Sequence, residues 1–112
     1  MKKYIEVEGK GVTHLKVETF YNLGGTNVFN GRNEPRGYYL SVCPVKRQKH
    51  DWGITSESYT AFTGAKILIM EVSRRSAKRE KMADLKAKEM EAGVIEYICE
   101  KNGLKIVEER ED

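Results

Sequence analysis

Hydrophobic and polar residues alternate in the first half of the chain, which is typical of half-buried β-strands. Lys3–Glu8 alternates once, Val12–Tyr21 alternates again, and Gly9-Lys10-Gly11 separates the two segments. Two alternating segments joined by a short glycine loop predict a β-hairpin. Further strands are predicted over Gly37–Lys46 and Trp52–Thr63, with a polar turn between them. The four segments together predict an antiparallel meander.

The hydrophobic period changes in the second half, where apolar and small residues recur every three or four positions. This spacing predicts a helix over most of residues 75–101, ended by Asn102-Gly103 because Gly103 can take the left-handed conformation. Residues 66–72 have two possible interpretations, a strand or the start of the helix. Their β-branched side chains favour a fifth strand. The continuous stripe favours a start of the helix there, capped by Thr63-Gly64, and by a narrow margin we expect the helix.

These elements predict a single α+β domain over residues 1–112, with an antiparallel sheet of about four strands and one long C-terminal helix packed on it. Leu104–Val107 alternates and predicts a short last strand. Pro44 has no N–H to donate, so we expect an edge position or a bulge there. The small helical residues Ala83 and Ala87 are expected in the core. The alternative is a homodimer seam along the helix.

Composition narrows the class of protein. The longest apolar run, Ile67–Met70, is far shorter than the roughly 20 residues of a membrane span, and the first residues do not resemble a signal peptide. Cys43 and Cys99 have no CxxC partner, so we expect reduced thiols in the cytoplasm, with a disulfide as the less favoured alternative. No membrane partner is expected.

Charge is distributed unevenly along the chain. Residues 1–88 hold 17 Lys and Arg against 9 Asp and Glu, whereas residues 89–112 hold 3 against 8. Such asymmetry is typical of a protein that binds an anionic partner. A solvated surface followed by an acidic tail is the alternative.

Residues suited to catalysis or metal binding are few. His14 and His50 lack metal-ligand spacing with each other or with the cysteines, and aspartate is too scarce for a Mg²⁺ cluster. Phosphate-binding glycine motifs are missing. A nucleophilic pair of Cys43 and His50 is the remaining option, and a half-buried strand position disfavours it. We therefore predict no enzyme, no metal and no cofactor.

The segment Asn22–Tyr39 concentrates glycine, asparagine and arginine. Its structural interpretation is a β-arm between two core strands, turning at Asn30-Gly31, where a two-residue type I′ turn is favoured. Its functional interpretation is a ligand-binding loop with three kinds of contact. Phosphate or carboxylate contacts are assigned to Arg32 and Arg36, base-edge contacts to Asn27 and Asn30, and stacking to Phe29 and Tyr38.

A second candidate surface is the basic run Ser73–Lys88. Its cations, together with a second cluster at the end of the third strand and in the turn after it, fit a phosphate backbone. These residues are Arg74, Arg75, Lys78, Arg79, Lys46 and Arg47. The alternative is a solvated helix face with intrahelical pairs such as Asp84–Lys88.

The stretches YNLGGTN, EPRGYYLSVCPV, SYTAFTG and EVSRRSAK, in this order over about residues 20–80, resemble a set of small uncharacterised proteins of bacteriophages and mobile elements. The resemblance implies no activity and no site residue. It implies a setting, a phage or mobile-element product in a bacterial cytoplasm, where small basic proteins often act by binding.

We therefore expect a non-enzymatic binding protein, acting as a host-defence inhibitor. Its partner would be a host nucleic-acid-binding protein, a nucleotide or another phosphorylated ligand. One alternative is a nucleic-acid-binding accessory protein of replication or transfer. Another is a structural or assembly protein that dimerises through its helix.

Overall fold

The computed structural model describes residues 1–26, 28 and 31–107. It has the predicted α+β architecture, with one long helix packed on an antiparallel sheet. The elements are β1 (Lys2–Glu8), β2 (His14–Asn22), β3 (Gly25–Thr26), β4 (Asn33–Glu34), β5 (Gly37–Lys49), β6 (Thr55–Tyr59), β7 (Ala65–Glu71), α1 (Ala77–Asn102) and β8 (Lys105–Ile106).

The main sheet is organised around β5, its longest strand. Its order is β6-β5-β2-β1-β8, and β7 joins it by pairing with β5. All of these pairings are antiparallel, so the predicted meander is present as β1-β2-β5-β6. The six strands of the main sheet exceed the four predicted, because β7 and the short predicted strand β8 add to the meander.

The narrow preference for a helix at residues 66–72 is wrong, because Ala65–Glu71 forms β7. It pairs with the first part of β5, and Ile67 lies opposite Leu40. The edge of β5 that faces away from β2 requires hydrogen-bond partners, and a β-branched segment suits a pleated surface. The helix begins later, where the Ser76 side chain accepts from the Arg79 N–H at 3.1 Å. It ends at Gly103, with φ 66°, as predicted.

Pro44 lies inside β5, at a local edge. β7 pairs with β5 as far as Val42, and β6 pairs with it from Val45 onwards. Pro44 therefore falls in the gap between two partner strands, where a missing N–H leaves no ladder hydrogen bond unmade. Its carbonyl oxygen accepts from the Thr60 hydroxyl at 3.2 Å on that side.

The core lies between the sheet and one face of α1. Strand residues Leu15, Val17, Leu40 and Val42 are fully buried there. Ala83 and Ala87 of α1 pack in the same cluster, 1% and 0% exposed, so their predicted place in the core is confirmed. These two alanines are consequently not available as a surface seam. No helix among the described residues is long and apolar enough to span a bilayer.

Candidate functional site

A β-arm projects from the sheet between β2 and β5. Its strands β3 and β4 pair antiparallel, with Gly25 opposite Glu34 and Thr26 opposite Asn33, which confirms the structural interpretation of this segment. The predicted turn at Asn30-Gly31 includes a residue, Asn30, that lies outside the described residues. The predicted ligand residues Asn27, Phe29 and Asn30 lie outside the described residues.

Side chains of the arm and of the adjoining strands fix the base of the arm. The Asn22 amide donates to a Glu34 carboxylate oxygen at 2.8 Å, and the Tyr39 hydroxyl donates to the Pro35 carbonyl at 2.6 Å. Arg36 donates its Nε–H to the Leu23 carbonyl at 2.8 Å. Because Nε is used in this way, the arm's own backbone orients Arg36, and the terminal nitrogens of its exposed side chain have no carboxylate partner among the described residues.

The fold brings Arg36 next to the basic run that precedes α1. The Val72 N–H donates to the Arg36 carbonyl at 3.1 Å, just after β7 ends. Arg36, Glu71, Val72 and Ser73 line a shallow, open cleft of about 540 Å³. The cleft thus joins the arm base to Ser73, the first residue of the basic run, and the arm base together with Ser73–Arg79 is here called the arm end.

The cations of the arm end differ in their partners. Arg75 donates from Nε and Nη2 to one Glu80 oxygen, at 3.1 and 2.7 Å, and this hydrogen bonding is the main cause of the raised pKa of Arg75. Arg79 donates to the Arg74 carbonyl at 2.9 Å. The exposed side chains of Arg74 and Lys78 form no ion pair within the part of the chain that is described. Arg74 and Lys78 therefore leave uncompensated positive charge on the surface.

Arg32 lies on the other side of the arm, where it lines an open cleft together with Asn33, Tyr39 and Lys66. The ammonium of Lys66 lies 5.1 Å from the centre of the Tyr39 ring and forms an ion pair with Glu34. Arg32 and Arg36 thus flank the same arm without sharing a cleft.

Lys46 and Arg47, which are predicted as a second cluster of cations, lie apart from this surface. They lie on β5 nine or more residues beyond Gly37, which corresponds to about 30 Å along an extended strand. The Arg47 guanidinium instead packs 3.9 Å from the centre of the Tyr4 ring and 3.9 Å from a Glu57 oxygen. Arg47 thus belongs to the face of the sheet opposite α1.

Tyr38 is placed differently from its predicted stacking role. It is only 3% exposed, on the α1 side of β5, so its ring is not available to a base at the surface. Strand alternation explains this position, because Tyr38 shares its face with the core residues Leu40 and Val42. Its hydroxyl is buried and interacts with the guanidinium of Arg75.

The Tyr38 side chain lines a small cleft between the sheet and the first turns of α1, here called the helix cleft. Its volume is about 170 Å³. Its polar lining residues are Thr19, Tyr21, Tyr38, Arg75, Glu80 and Asp84. Sequence reasoning missed this site. The available signal was the pair of carboxylates at Glu80 and Asp84, spaced i,i+4 on one helix face, where like charges repel unless something lies between them.

The thiols and imidazoles are far from forming a catalytic pair. Cys43 and His50 are seven residues apart on and just beyond β5, about 23 Å along a strand. Burial is the main cause of a raised pKa for the Cys43 thiol, and burial also raises the pKa of the Cys99 thiol. No group of three or more metal-binding side chains occurs within residues 1–26, 28 and 31–107.

Comparisons of this chain with protein-family models, with curated proteins and with solved structures give no match.

Proposed function

We propose that this protein is a non-enzymatic binding protein that holds the phosphate groups of a nucleic acid at the arm end. The observation that carries the proposal is the cleft at one end of the sheet that places Arg36 beside Ser73, where the basic run with Arg74 and Lys78 begins. None of these three cations forms an ion pair among the described residues. Cations that are not already paired are free to displace counterions from a phosphate backbone.

The shape of the surface favours a polymer over a single small anion. The cleft beside Arg36 and the cleft beside Arg32 are both shallow and open. Enclosed sites suit small phosphorylated ligands, because they remove most of the ligand surface from water. An open surface with several separate cations suits an extended backbone, whose phosphates repeat at regular intervals.

The resemblance to phage and mobile-element proteins suggests how such binding would act in the cell. A protein that binds nucleic acid in stoichiometric amounts inside a bacterial cell would inhibit a host defence by competing for the nucleic acid that the defence recognises. Native mass spectrometry of the purified protein tests the rival hypothesis of small-ligand sequestration. A retained phosphorylated small molecule would favour that hypothesis over the proposed function.

The test of the proposed function is a salt series with a fluorescently labelled single-stranded dT oligonucleotide, followed by anisotropy. For a single strand the slope of log K against log salt falls by about 0.7 for each phosphate contact that is lost. The triple variant Arg36→Ala, Arg74→Ala, Lys78→Ala should therefore reduce the slope by about 2 and keep its melting temperature.

Lys46→Ala is the matched control, because Lys46 is an exposed lysine at the far end of β5. It should leave the affinity and the slope nearly unchanged. Equal weakening by Lys46→Ala, or wild-type binding without salt dependence, would overturn the proposal.

A further inference from the structure

We propose that the hairpin of β5 and β6 is a second contact with nucleic acid, at which Trp52 stacks on an unpaired base. The inference rests on the proposed function, because the arm end would hold the phosphates of the same single strand. It adds a contact with bases, which the phosphate contacts of the arm end do not supply.

The hairpin projects from the sheet as a two-stranded ribbon, Lys46–Tyr59. β2 pairs with β5 as far as Val45, so the following four residues of β5 pair with β6 alone among the described strands. A tight turn closes the ribbon. In it, the His50 N–H donates to the Ile54 carbonyl at 2.9 Å, and the Gly53 N–H donates to the His50 carbonyl at 3.0 Å. All five residues of β6 are exposed, so the ribbon presents its side chains to solvent.

Trp52, in the turn of the ribbon, gives the first reason to expect a ligand. It is 72% exposed, and Ile54 beside it is 54% exposed. Tryptophan is highly buried on average in folded proteins, so packing of the fold does not account for an indole in solvent. The His50 ring lies 5.4 Å away between ring centres and leaves most of the indole accessible. Trp52 therefore offers an aromatic surface that the fold itself does not use.

A second exposed aromatic side chain and two cations lie along the same ribbon. Tyr59, at the other end of β6, is 74% exposed. Side chains alternate along paired strands, so Tyr59 shares the side of the ribbon facing away from α1 with Arg47 and Lys49. Lys49 is exposed and forms no ion pair in the part of the chain that the structure describes. This side thus combines stacking surfaces with positive charge.

The charge of the ribbon favours an anionic partner. Residues 45–59 hold three Lys and Arg against two Asp and Glu. One of the two acids, Glu57, accepts from the Lys16 Nζ at 3.2 Å, so its charge is already compensated. Lys46 lies on the other side of the ribbon from Lys49, because side chains alternate, and it stays outside this contact.

The distribution of apolar groups favours a nucleic-acid strand over a protein partner. Polar residues of β6 separate Tyr59 from Trp52 and Ile54, so these side chains do not form one continuous apolar patch. A stable protein interface buries about 800 Å² on each partner around an apolar core. A single strand requires less, because each base stacks on its own aromatic ring and nearby cations follow the backbone.

The ribbon and the arm end lie at the two ends of β5. This strand has 13 residues, which corresponds to about 40 Å along an extended chain. A single strand held at the arm end by its phosphates would therefore cross the sheet to reach Trp52. Contacts at two separate places on one strand raise its affinity above that of either contact alone.

Trp52 is the only tryptophan in the sequence, so tryptophan fluorescence reports on this contact directly. The protein is titrated with a dT strand long enough to span β5. In parallel it is titrated with an abasic strand of the same length, which keeps the phosphates and lacks the bases. Stacking on a base quenches tryptophan emission. We expect the dT strand to quench the emission of Trp52 and the abasic strand to bind without quenching it.

Anisotropy of the labelled dT strand tests the variants. Trp52→Ala should weaken binding about tenfold, as the loss of one stacked base does. Its salt slope should stay unchanged, because stacking releases no counterions. Trp52→Phe keeps an aromatic ring and should retain most of the affinity. Tyr97→Ala is the matched control, because Tyr97 is an aromatic residue on α1 that is 56% exposed, and it should bind like the wild type.

The outcomes separate the inference from the proposed function. Binding of both strands with unchanged Trp52 emission would overturn the inference and leave the proposed function standing. Equal weakening by Trp52→Ala and Tyr97→Ala would also overturn the inference. Quenching by the dT strand that the arm-end triple variant retains at wild-type affinity would overturn the proposed function and leave the contact at Trp52 standing. Absence of binding to either strand would overturn both.

Discussion

The side-chain amide of Asn102 donates to the Thr63 carbonyl at 3.1 Å, joining the last turn of α1 to the loop that leads into β7. The same nitrogen donates to the Ile98 carbonyl at 3.0 Å. Asn102 is only 8% exposed and is the buried polar residue of the described core. This contact holds the end of the helix against the loop that precedes β7, at a residue 39 positions earlier in the chain.

Asn102→Ala should destabilise the protein by about 1–3 kcal/mol, because it removes two hydrogen bonds of a buried amide, each worth about 0.5–1.5 kcal/mol. Urea unfolding followed by circular dichroism measures the change. Lys101→Ala is the control, since Lys101 is an exposed neighbour in the same helical turn, and its effect should stay within about 0.5 kcal/mol. A change of that small size for Asn102→Ala would show that the contact contributes little.

The helix end illustrates what could be predicted from sequence. Asn102-Gly103 stops α1 through local chemistry, because Gly103 takes a left-handed conformation whatever the rest of the fold does. The strand β7 depends instead on a partner almost 30 residues away, the first part of β5. Periodicity alone cannot reveal that partner, and for residues 66–72 it narrowly favours the helix.

The candidate site was likewise only partly predictable from the sequence. Arg36 and the run from Arg74 to Arg79 were recognised individually by residue type. That the basic run begins beside Arg36 follows from the pairing of β7 with β5, which is a tertiary contact. The role of Tyr38 was misassigned because its face of β5 is set by the helix that covers it. The contact between the Arg47 guanidinium and the Tyr4 ring could not be predicted either, since it joins strands that are not neighbours in the sheet.

Gly37 and Gly93 should respond in opposite ways to substitution by alanine. A Cβ atom at Gly37 would lie 2.1 Å from the Met70 backbone oxygen, so Gly37→Ala must push β7 away from β5. We expect a loss of about 1–3 kcal/mol, as for overpacking elsewhere. A Cβ at Gly93 would meet open space on α1, and Gly93→Ala should gain about 0.5–1 kcal/mol of stability.

Thermal and urea unfolding of both glycine variants check this pair of predictions. Gly37→Ala with wild-type stability would contradict the close approach of β7 to β5. Gly93→Ala with lower stability would contradict an exposed position on the helix.

Cys43 should be slow to alkylate at neutral pH. Burial is the main cause of its raised thiol pKa, and only the thiolate reacts. We expect modification by iodoacetamide to be at least about tenfold slower in the folded protein than in urea, as followed by intact mass. Rapid modification of the folded protein at pH 7 would reveal an activated thiol and reopen the hypothesis of a nucleophilic enzyme.

Glu57 should make the stability of the protein depend on pH in the acid range. The Tyr4 hydroxyl is the main cause of the lowered pKa of this carboxyl group, and Lys16, whose Nζ lies 3.2 Å from a Glu57 oxygen, lowers it further. The folded state therefore binds the Glu57 proton less readily than the unfolded chain, where the value is near 4.5. The contribution of Glu57 to stability is thus complete above that value and is lost as the pH falls through the lower, folded value.

Glu57→Gln removes this titration, so the stability difference between wild type and variant should be largest near neutral pH and shrink below about pH 4.5. Urea unfolding of both proteins at several pH values from neutral to acid measures it. Glu96→Gln, at an exposed position on α1, controls for the loss of one surface charge. A Glu57→Gln difference that stays constant across the acid range would mean that the contacts with Tyr4 and Lys16 do not favour the ionised carboxylate.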